Sequence, residues 1–367
     1  MKRFTIKRAL CALVCLCLLA GATLTGCGQR DTYRVAVFAY KFDDSYIATV
    51  RTALEKYFKD YRDRMQVTFY NGENNQQTQS TQIDTAITQG ADLLIINAVD
   101  FQSAGEALAA KAHAKGLPVI FFNREVSDAA VSSSDNICFV GTDPDAPGYM
   151  QGELVANMLS DNEAFRKYDR NGDGKIQYAM FRAEVGNAEA DGRTKYSVSK
   201  ANELLAANDA LTAADKNGAV LERVGADQLA NWDSATANNM MGSLFRVQGG
   251  LPNVELVLCN NDDMALGVIS ALEAKGFNKR GSRENDPTHY IPVFGVDALS
   301  TAIDAMKNGK MQGTVKQDAE AMAKAIVEIA MNIKNERDFL YGTDYTFDEG
   351  TRKLRIPYAP VKAEEVS

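Results

Sequence analysis

From residue 34 onward, short apolar runs rich in Val, Ile, Leu and Phe alternate with longer stretches whose apolar positions recur at helical spacing. The runs predicted as strands are 34–39, 66–70, 93–96, 119–122, 137–140, 177–181, 254–259, 291–294 and 313–315. They lack the strict alternation of a sheet with one wet face. Nearly continuous apolar strands separated by helices, as at 47–61 and 265–275, indicate parallel sheets covered on both faces. There are too many strands for one compact sheet, so the predicted fold is α/β with two doubly wound parallel-sheet lobes.

That architecture places ligands beyond the carboxyl ends of the strands. The residues there are Asp43, Asp44 and Tyr46, then Asn97 and Asp100, then 187–193, then Asn260, Asn261 and Asp262, then Asp297, and finally Gln317 and Asp318. No histidine, serine elbow or glycine-rich phosphate loop falls among them. Taken singly, each Asp or Asn reads as a helix N-cap. Taken together, planar amides, carboxylates and an arginine around a cleft suit a neutral ligand rich in hydroxyls, each of which donates and accepts. Tyr46 and the only tryptophan, Trp232, sit in polar surroundings where a ring stacks on the apolar face of a sugar.

The N-terminus changes the setting. Lys2, Arg3, Lys7 and Arg8 precede an apolar stretch at 9–22 followed by small residues, the pattern of an export signal. Leu24-Thr-Gly-Cys27 resembles a bacterial lipobox, against the alternative of an ordinary signal with an incidental cysteine. It predicts removal of residues 1–26, a lipid on Cys27 and a tether at 27–33, with the protein held on the extracytoplasmic face of the cell membrane. Four basic and no acidic side chains lie in residues 1–26, so the remainder carries a formal charge of −12 against −8 for the whole chain. An acidic chain without a basic patch excludes nucleic acid as a partner. Cys11, Cys15 and Cys17 fall in the signal; Cys138 and Cys259 lie in apolar runs and read as buried free thiols.

One stretch has its own chemistry. Asp169-Arg-Asn-Gly-Asp-Gly-Lys-Ile-Gln177 matches the first nine positions of an EF-hand calcium loop. Asp169, Asn171, Asp173 and Gln177 supply side-chain oxygens, Lys175 its carbonyl, and Gly174 the sharp turn. Met180 stands where the bidentate glutamate should be, so a completing carboxylate must come from elsewhere. The alternative is an Asx-rich turn without an ion.

Residues 34–360 resemble the periplasmic galactose/glucose-binding proteins of ABC importers. The resemblance is carried in order by AYKFDDSY (39–46), INAVD (96–100), PVIFFNRE (118–125), FVGTD (139–143), DGRTKYS (191–197), CNNDDMALG (259–267) and IPVFGVDAL (291–299). It implies two lobes joined by three hinge strands, with 34–120 and 319–353 in the N-terminal lobe and 121–318 and 354–363 in the C-terminal lobe. It implies sugar contacts at Asp44, Tyr46, Asn97, Arg193, Trp232, Asn261 and Asp297. Asn187, Glu189 and Gln317 stand at three further contact positions where the family has other polar residues, which leaves the preferred sugar open. It also implies that Glu255 completes a structural calcium site with Asp169, Asn171, Asp173, Lys175 and Gln177.

The expected function is an extracytoplasmic substrate-binding lipoprotein, a monomer, that closes on a monosaccharide and presents it to an ABC permease. A chemoreceptor or sensor kinase is the alternative reader. A glycosidase using Asp44 and Asp297 is the enzymatic alternative, disfavoured by the many amides among those corners. A sugar-responsive repressor core is set aside because the chain begins with an export signal. His113 and His289 receive no functional role, and the charged loop 280–288 reads as a surface insertion.

Overall fold

The computed structural model describes residues 32–247 and 253–366. The predicted signal, Cys27 and most of the tether lie outside the described residues. Strands β1 (Tyr33–Ala39), β2 (Met65–Asn71), β3 (Leu93–Ile96), β4 (Val119–Phe122) and β5 (Ile137–Gly141) build one parallel sheet. A second sheet follows with β6 (Ile176–Arg182), β7 (Leu221–Arg223), β8 (Gln228–Leu229), β9 (Leu256–Cys259), β10 (Val293–Phe294) and β11 (Gly313–Gln317). The chain then returns β12 (Lys353–Arg355) to the first sheet, parallel to β5, and β13 (Tyr358–Lys362) to the second, antiparallel to β11.

The strand orders are β12-β5-β4-β3-β1-β2 and β13-β11-β10-β9-β6-β7, with β8 paired to β6. Each sheet reverses direction of growth beside its first strand, between β3 and β1 and between β9 and β6. Those two switch points open crevices at the carboxyl ends of the strands.

Both faces of each sheet are buried. In the first lobe Val35, Val37, Leu93 and Ile95 pack under the helices Ser45–Phe58 and Ala319–Lys334, while Ala36, Phe38, Leu94 and Ile96 pack on the other face with Ile83, Leu108 and Ala112. The second lobe repeats the arrangement with Ala179 and Phe181 on one face and Tyr178 and Met180 on the other. The helices Ala146–Met158 and Ala188–Ala207 approach so closely that a Cβ on Gly148 would lie 2.5 Å from the Gly192 carbonyl. This contact seats the helix whose first turns carry Glu189 and Arg193.

The chain crosses between lobes at 142–145, at 318 and at 356–357. The expected boundary after residue 120 is corrected: it falls inside β4, and the first lobe continues through β5, where Ile137 pairs with Val119. Residues 354 and 355 likewise belong to the first sheet. Buried parallel strands of either lobe have the same composition, and only pairing decides which sheet a strand joins. Strands β7, β8, β12 and β13 were not predicted, because they are short and most are largely exposed at sheet edges. The 280–288 loop is anchored: Ser282–Asn285 is a helical turn, and Arg283 Nη1 donates to the Met311 carbonyl at 3.0 Å. His113 is exposed, and Cys138 and Cys259 are buried free thiols. No helix among the described residues is long and apolar enough to cross a membrane.

Candidate functional site

The two crevices face each other across a cavity with about 610 Å³ of empty space, part of it open to solvent. Of the sequence-predicted residues, Asp44, Tyr46, Asn187, Glu189, Arg193, Trp232, Asn261, Asp297 and Gln317 all line it. Three of them also satisfy the simpler capping reading. Asp44 Oδ1 accepts from Ile47 N at 2.8 Å, Asn187 Oδ1 from Ala190 N at 3.2 Å and Asn261 Oδ1 from Met264 N at 3.0 Å. Capping fixes each side chain at a helix start that already points at the crevice.

Asn97 is the exception and does not line the cavity. It is fully buried, where its Oδ1 accepts from Tyr40 N at 3.1 Å and its Nδ2 donates to the Phe122 carbonyl and to Asn123 Oδ1, both at 3.1 Å. It ties the ends of β1, β3 and β4 together, and Asn123 takes the place on the wall.

Arg193, 3% exposed, organises the second lobe's side. Its Nη1 donates to the Asn260 carbonyl at 2.8 Å, and its Nη2 reaches Tyr358 Oη at 2.9 Å, Glu189 Oε2 at 3.0 Å and Gln317 Oε1 at 3.1 Å. Tyr358 Oη donates to Glu189 Oε2 at 2.7 Å and lies 3.2 Å from Thr142 Oγ1, which in turn bonds Glu189 Oε1. Thr142 lies in one of the three crossings and Gln317 and Tyr358 directly flank the other two, so this cluster links the cavity wall to every connection between the lobes. Burial pulls the Arg193 pKa down, but Tyr358, Glu189 and Asp297 outweigh it and leave the value above normal.

Asp297 Oδ1 lies 3.7 Å from Arg193 Nη1. Burial raises the Asp297 pKa well above the usual carboxylate range; Arg193 opposes that, while Asp262, Asp44 and Glu189 add to it. Its φ of 118° is left-handed, a strained position held by the surrounding strands. Trp232 and Asn231 also have positive φ, 65° and 51°. This turn after β8 sets the indole ring 5.5 Å from the Arg193 guanidinium, and the ring forms part of the wall.

Sequence reasoning missed Tyr40, Phe101, Asn123, Arg124 and Glu125, which also line the cavity. Tyr40, Asn123, Arg124 and Glu125 directly follow β1 and β4, so the strand-end rule applied there would have found them. Tyr40 Oη donates to Asp44 Oδ2 at 2.6 Å. Glu125 receives Lys353 Nζ and Arg355 Nη1, each at 2.7 Å. Tyr358 had no signal, because its strand was not predicted.

The Asp169–Gln177 loop lies at the opposite, amino-terminal end of β6. Gly172 and Gly174 have φ of 71° and 79°, and the turn draws side chains inward. Asn171 Nδ2 lies 2.8 Å from Asp173 Oδ2 and 3.2 Å from Gln177 Oε1, and Gln177 Nε2 is 2.9 Å from Asp173 Oδ2. Glu255 reaches the loop from the position directly before β9, the strand that pairs with β6. It is 3% exposed and accepts from Arg170 N at 2.6 Å and Gln177 N at 3.0 Å. Burial raises its pKa, while those backbone donors lower it. Asp169 accepts from Gly172 N and Gly174 N at 2.8 and 3.0 Å. Among the described residues, no three His, Cys, Asp or Glu side chains meet as a ready metal cluster. The donor set is nevertheless all oxygen, and the Lys175 ammonium turns away to the Asp215 carbonyl at 2.8 Å. The residues therefore fit a hard cation of the calcium type in donor chemistry.

The family described as periplasmic binding protein domain matches residues 35–338. The chain is similar to the D-galactose/methyl-galactoside binding periplasmic protein MglB of Haemophilus influenzae, 30% identical over 333 residues, which are 91% of this chain and 90% of that protein. It is also similar to the solved structure of an ABC transporter solute binding protein from Bacillus halodurans C-125 with bound myo-inositol. That match has 25% identity and a TM-score of 0.68, covering 92% of this chain and 97% of that one. A solute binding protein from Clostridium phytofermentans with bound β-D-glucose matches at 21% identity and a TM-score of 0.63, covering 90% and 94%. The glycosidase alternative on Asp44 and Asp297 is thereby set aside. The chain belongs to the periplasmic binding protein family and is a substrate-binding protein, not an enzyme.

Proposed function

We propose that this protein is the extracytoplasmic binding component of an ABC sugar importer, capturing a neutral monosaccharide of the galactose/glucose type between its lobes. The observation that carries the reading is the composition of the cavity wall. Amides, carboxylates and two arginines alternate with the rings of Tyr40, Tyr46, Phe101 and Trp232, as a pyranose with polar rim and apolar faces requires. The similarity to a galactoside-binding protein over nearly the whole chain supports it. Because the wall comes from both lobes, the ligand makes all its contacts only when the lobes are together, and binding shifts the population toward closure. The closed form is what a membrane permease would read. A calorimetric screen against glucose, galactose, myo-inositol and pentoses tests this; one neutral sugar should titrate with a single site, and no titration by any of them would overturn the reading.

A calcium ion on Asp169, Asn171, Asp173, the Lys175 carbonyl, Gln177 and Glu255 is proposed as a structural staple. When bound, the ion would tie the loop to Glu255 at the start of β9. Cys27 is proposed as the lipid attachment point.

A further inference from the structure

Ser45 and Asp263 meet across the two lobes. Ser45 is the first residue of the helix Ser45–Phe58 in the first lobe, and Asp263 is the second residue of the helix Asp262–Ala274 in the other. Ser45 Oγ donates to Asp263 Oδ1 at 2.9 Å. Oδ2 of the same carboxylate accepts at 3.1 Å from the N–H of Ser234, where the helix Ser234–Val247 begins. One carboxylate therefore lies at the amino-terminal ends of three helices, two from its own lobe and one from the opposite lobe, where negative charge is favoured. Neither Ser45 nor Asp263 lines the cavity.

The second lobe holds its half of this contact in place. Asn238 Nδ2 donates to the Gly267 carbonyl at 3.2 Å, and Gly267 has no room for a Cβ beside the Ser234 carbonyl, so the two helices are locked with Ser234 next to Asp263. The neighbouring acids are occupied elsewhere. Asp44 accepts from Ile47 N and Tyr40 Oη within its own lobe, and the buried Asp262 accepts from Thr314 Oγ1 and Leu299 N within the second. A parallel attraction runs beside the contact: Thr236, and with it the Lys41 ammonium of the first lobe, holds the Asp233 carboxyl below its usual range. We propose that Asp263 is an affinity-determining residue that acts through lobe closure and not through the ligand: its bond to the Ser45 hydroxyl forms only with the lobes together and adds the same increment to the affinity for every sugar. This rests on the reading of the cavity as a monosaccharide site. Parting the lobes breaks the bond, so the latch slows release and leaves capture unaffected.

The test is calorimetry, with stopped-flow fluorescence of Trp232, on the full chain with glucose, galactose and myo-inositol, for the parent, Ser45→Ala, Asp263→Ala and the double variant. Ser45→Ala should weaken each sugar that titrates the parent by one common factor of about three- to tenfold, the loss of a half-exposed hydrogen bond to a charged acceptor. The loss should appear as faster release at an unchanged association rate. Asp263→Ala should lose at least as much, and in that background Ser45→Ala should cost nothing further. Should Asp263→Ala fail to fold, the common factor and the release rate of Ser45→Ala decide. Affinity of Ser45→Ala within about twofold of the parent overturns the proposal, as do losses that differ from sugar to sugar or that add in the double variant. A parent that binds none of the sugars overturns the reading of the cavity, and the latch with it, a result that needs no variant.

Discussion

The interlobe cavity and the Asp169–Gln177 loop are both rings of polar groups, yet they are built in opposite ways. The loop draws nearly all its oxygens from nine contiguous residues, with one carboxylate from afar. Its near donors are backbone N–H groups and the side-chain amides of Asn171 and Gln177, each of which also carries an oxygen, and its one ammonium is turned outward. The cavity collects its wall from the ends of many separate strands, and it mixes acceptors such as Asp297 and Gln317 with guanidinium donors from Arg124 and Arg193. A hard cation needs acceptors alone, whereas a polyol needs both partners for each hydroxyl. The difference in donor content is what separates the proposed metal site from the proposed sugar site.

If the two regions are as distinct as their chemistry implies, they should fail independently. Trp232→Ala removes the largest apolar surface of the second lobe's wall, and sugar affinity should fall on the order of a hundredfold, as for a central aromatic contact. Calcium-dependent thermal stabilisation should be unchanged; an affinity equal to the parent's by calorimetry would remove Trp232 from the site. Glu255→Gln is the reciprocal case. Losing one of three carboxylates should weaken calcium binding by about tenfold or more, with sugar affinity retained. Equal melting shifts on adding a chelator to variant and parent would dismiss the metal assignment.

The smallest effect concerns pH. Burial raises the Asp262 carboxyl from 3.8 to about 7, while Thr314, the Leu299 N–H and Arg193 pull the other way. Between about pH 4 and 7 the folded chain therefore holds a proton that the unfolded chain has released, so this group's contribution to stability falls as pH rises through that window. The melting temperature of Asp262→Asn relative to the parent should climb by roughly a few degrees across the window and level off above it. Calcium saturation should leave that difference unaltered, because Asp262 sits under the cavity, where Thr314 Oγ1 donates to it at 2.6 Å. A flat difference would remove Asp262 as the titrating group.

Much of this was visible in the chain. The apolar runs at 93–96 and 119–122 coincide with β3 and β4, because a strand buried on both faces leaves an unbroken apolar signature. The nine-residue loop was legible for a related reason: its ligands are set by spacing along one segment. Most of the cavity residues could also be named, because the strand-end rule needs only the order of elements.

Relations between segments were not legible. Asn97 and Asn123 both follow a strand, and nothing local says which one faces the cavity and which one ties β1, β3 and β4 together. The lobe boundary after Gly141 depends on β5 pairing with β4, and Tyr358 enters the Arg193 cluster only because β13 lies beside β11. The Arg124–Glu184 pair joins residues sixty positions apart on different lobes. Hydrophobic patterning records whether a residue is buried, since burial follows local period; which partner it meets depends on sheet pairing and lobe closure, and those are properties of the folded chain as a whole.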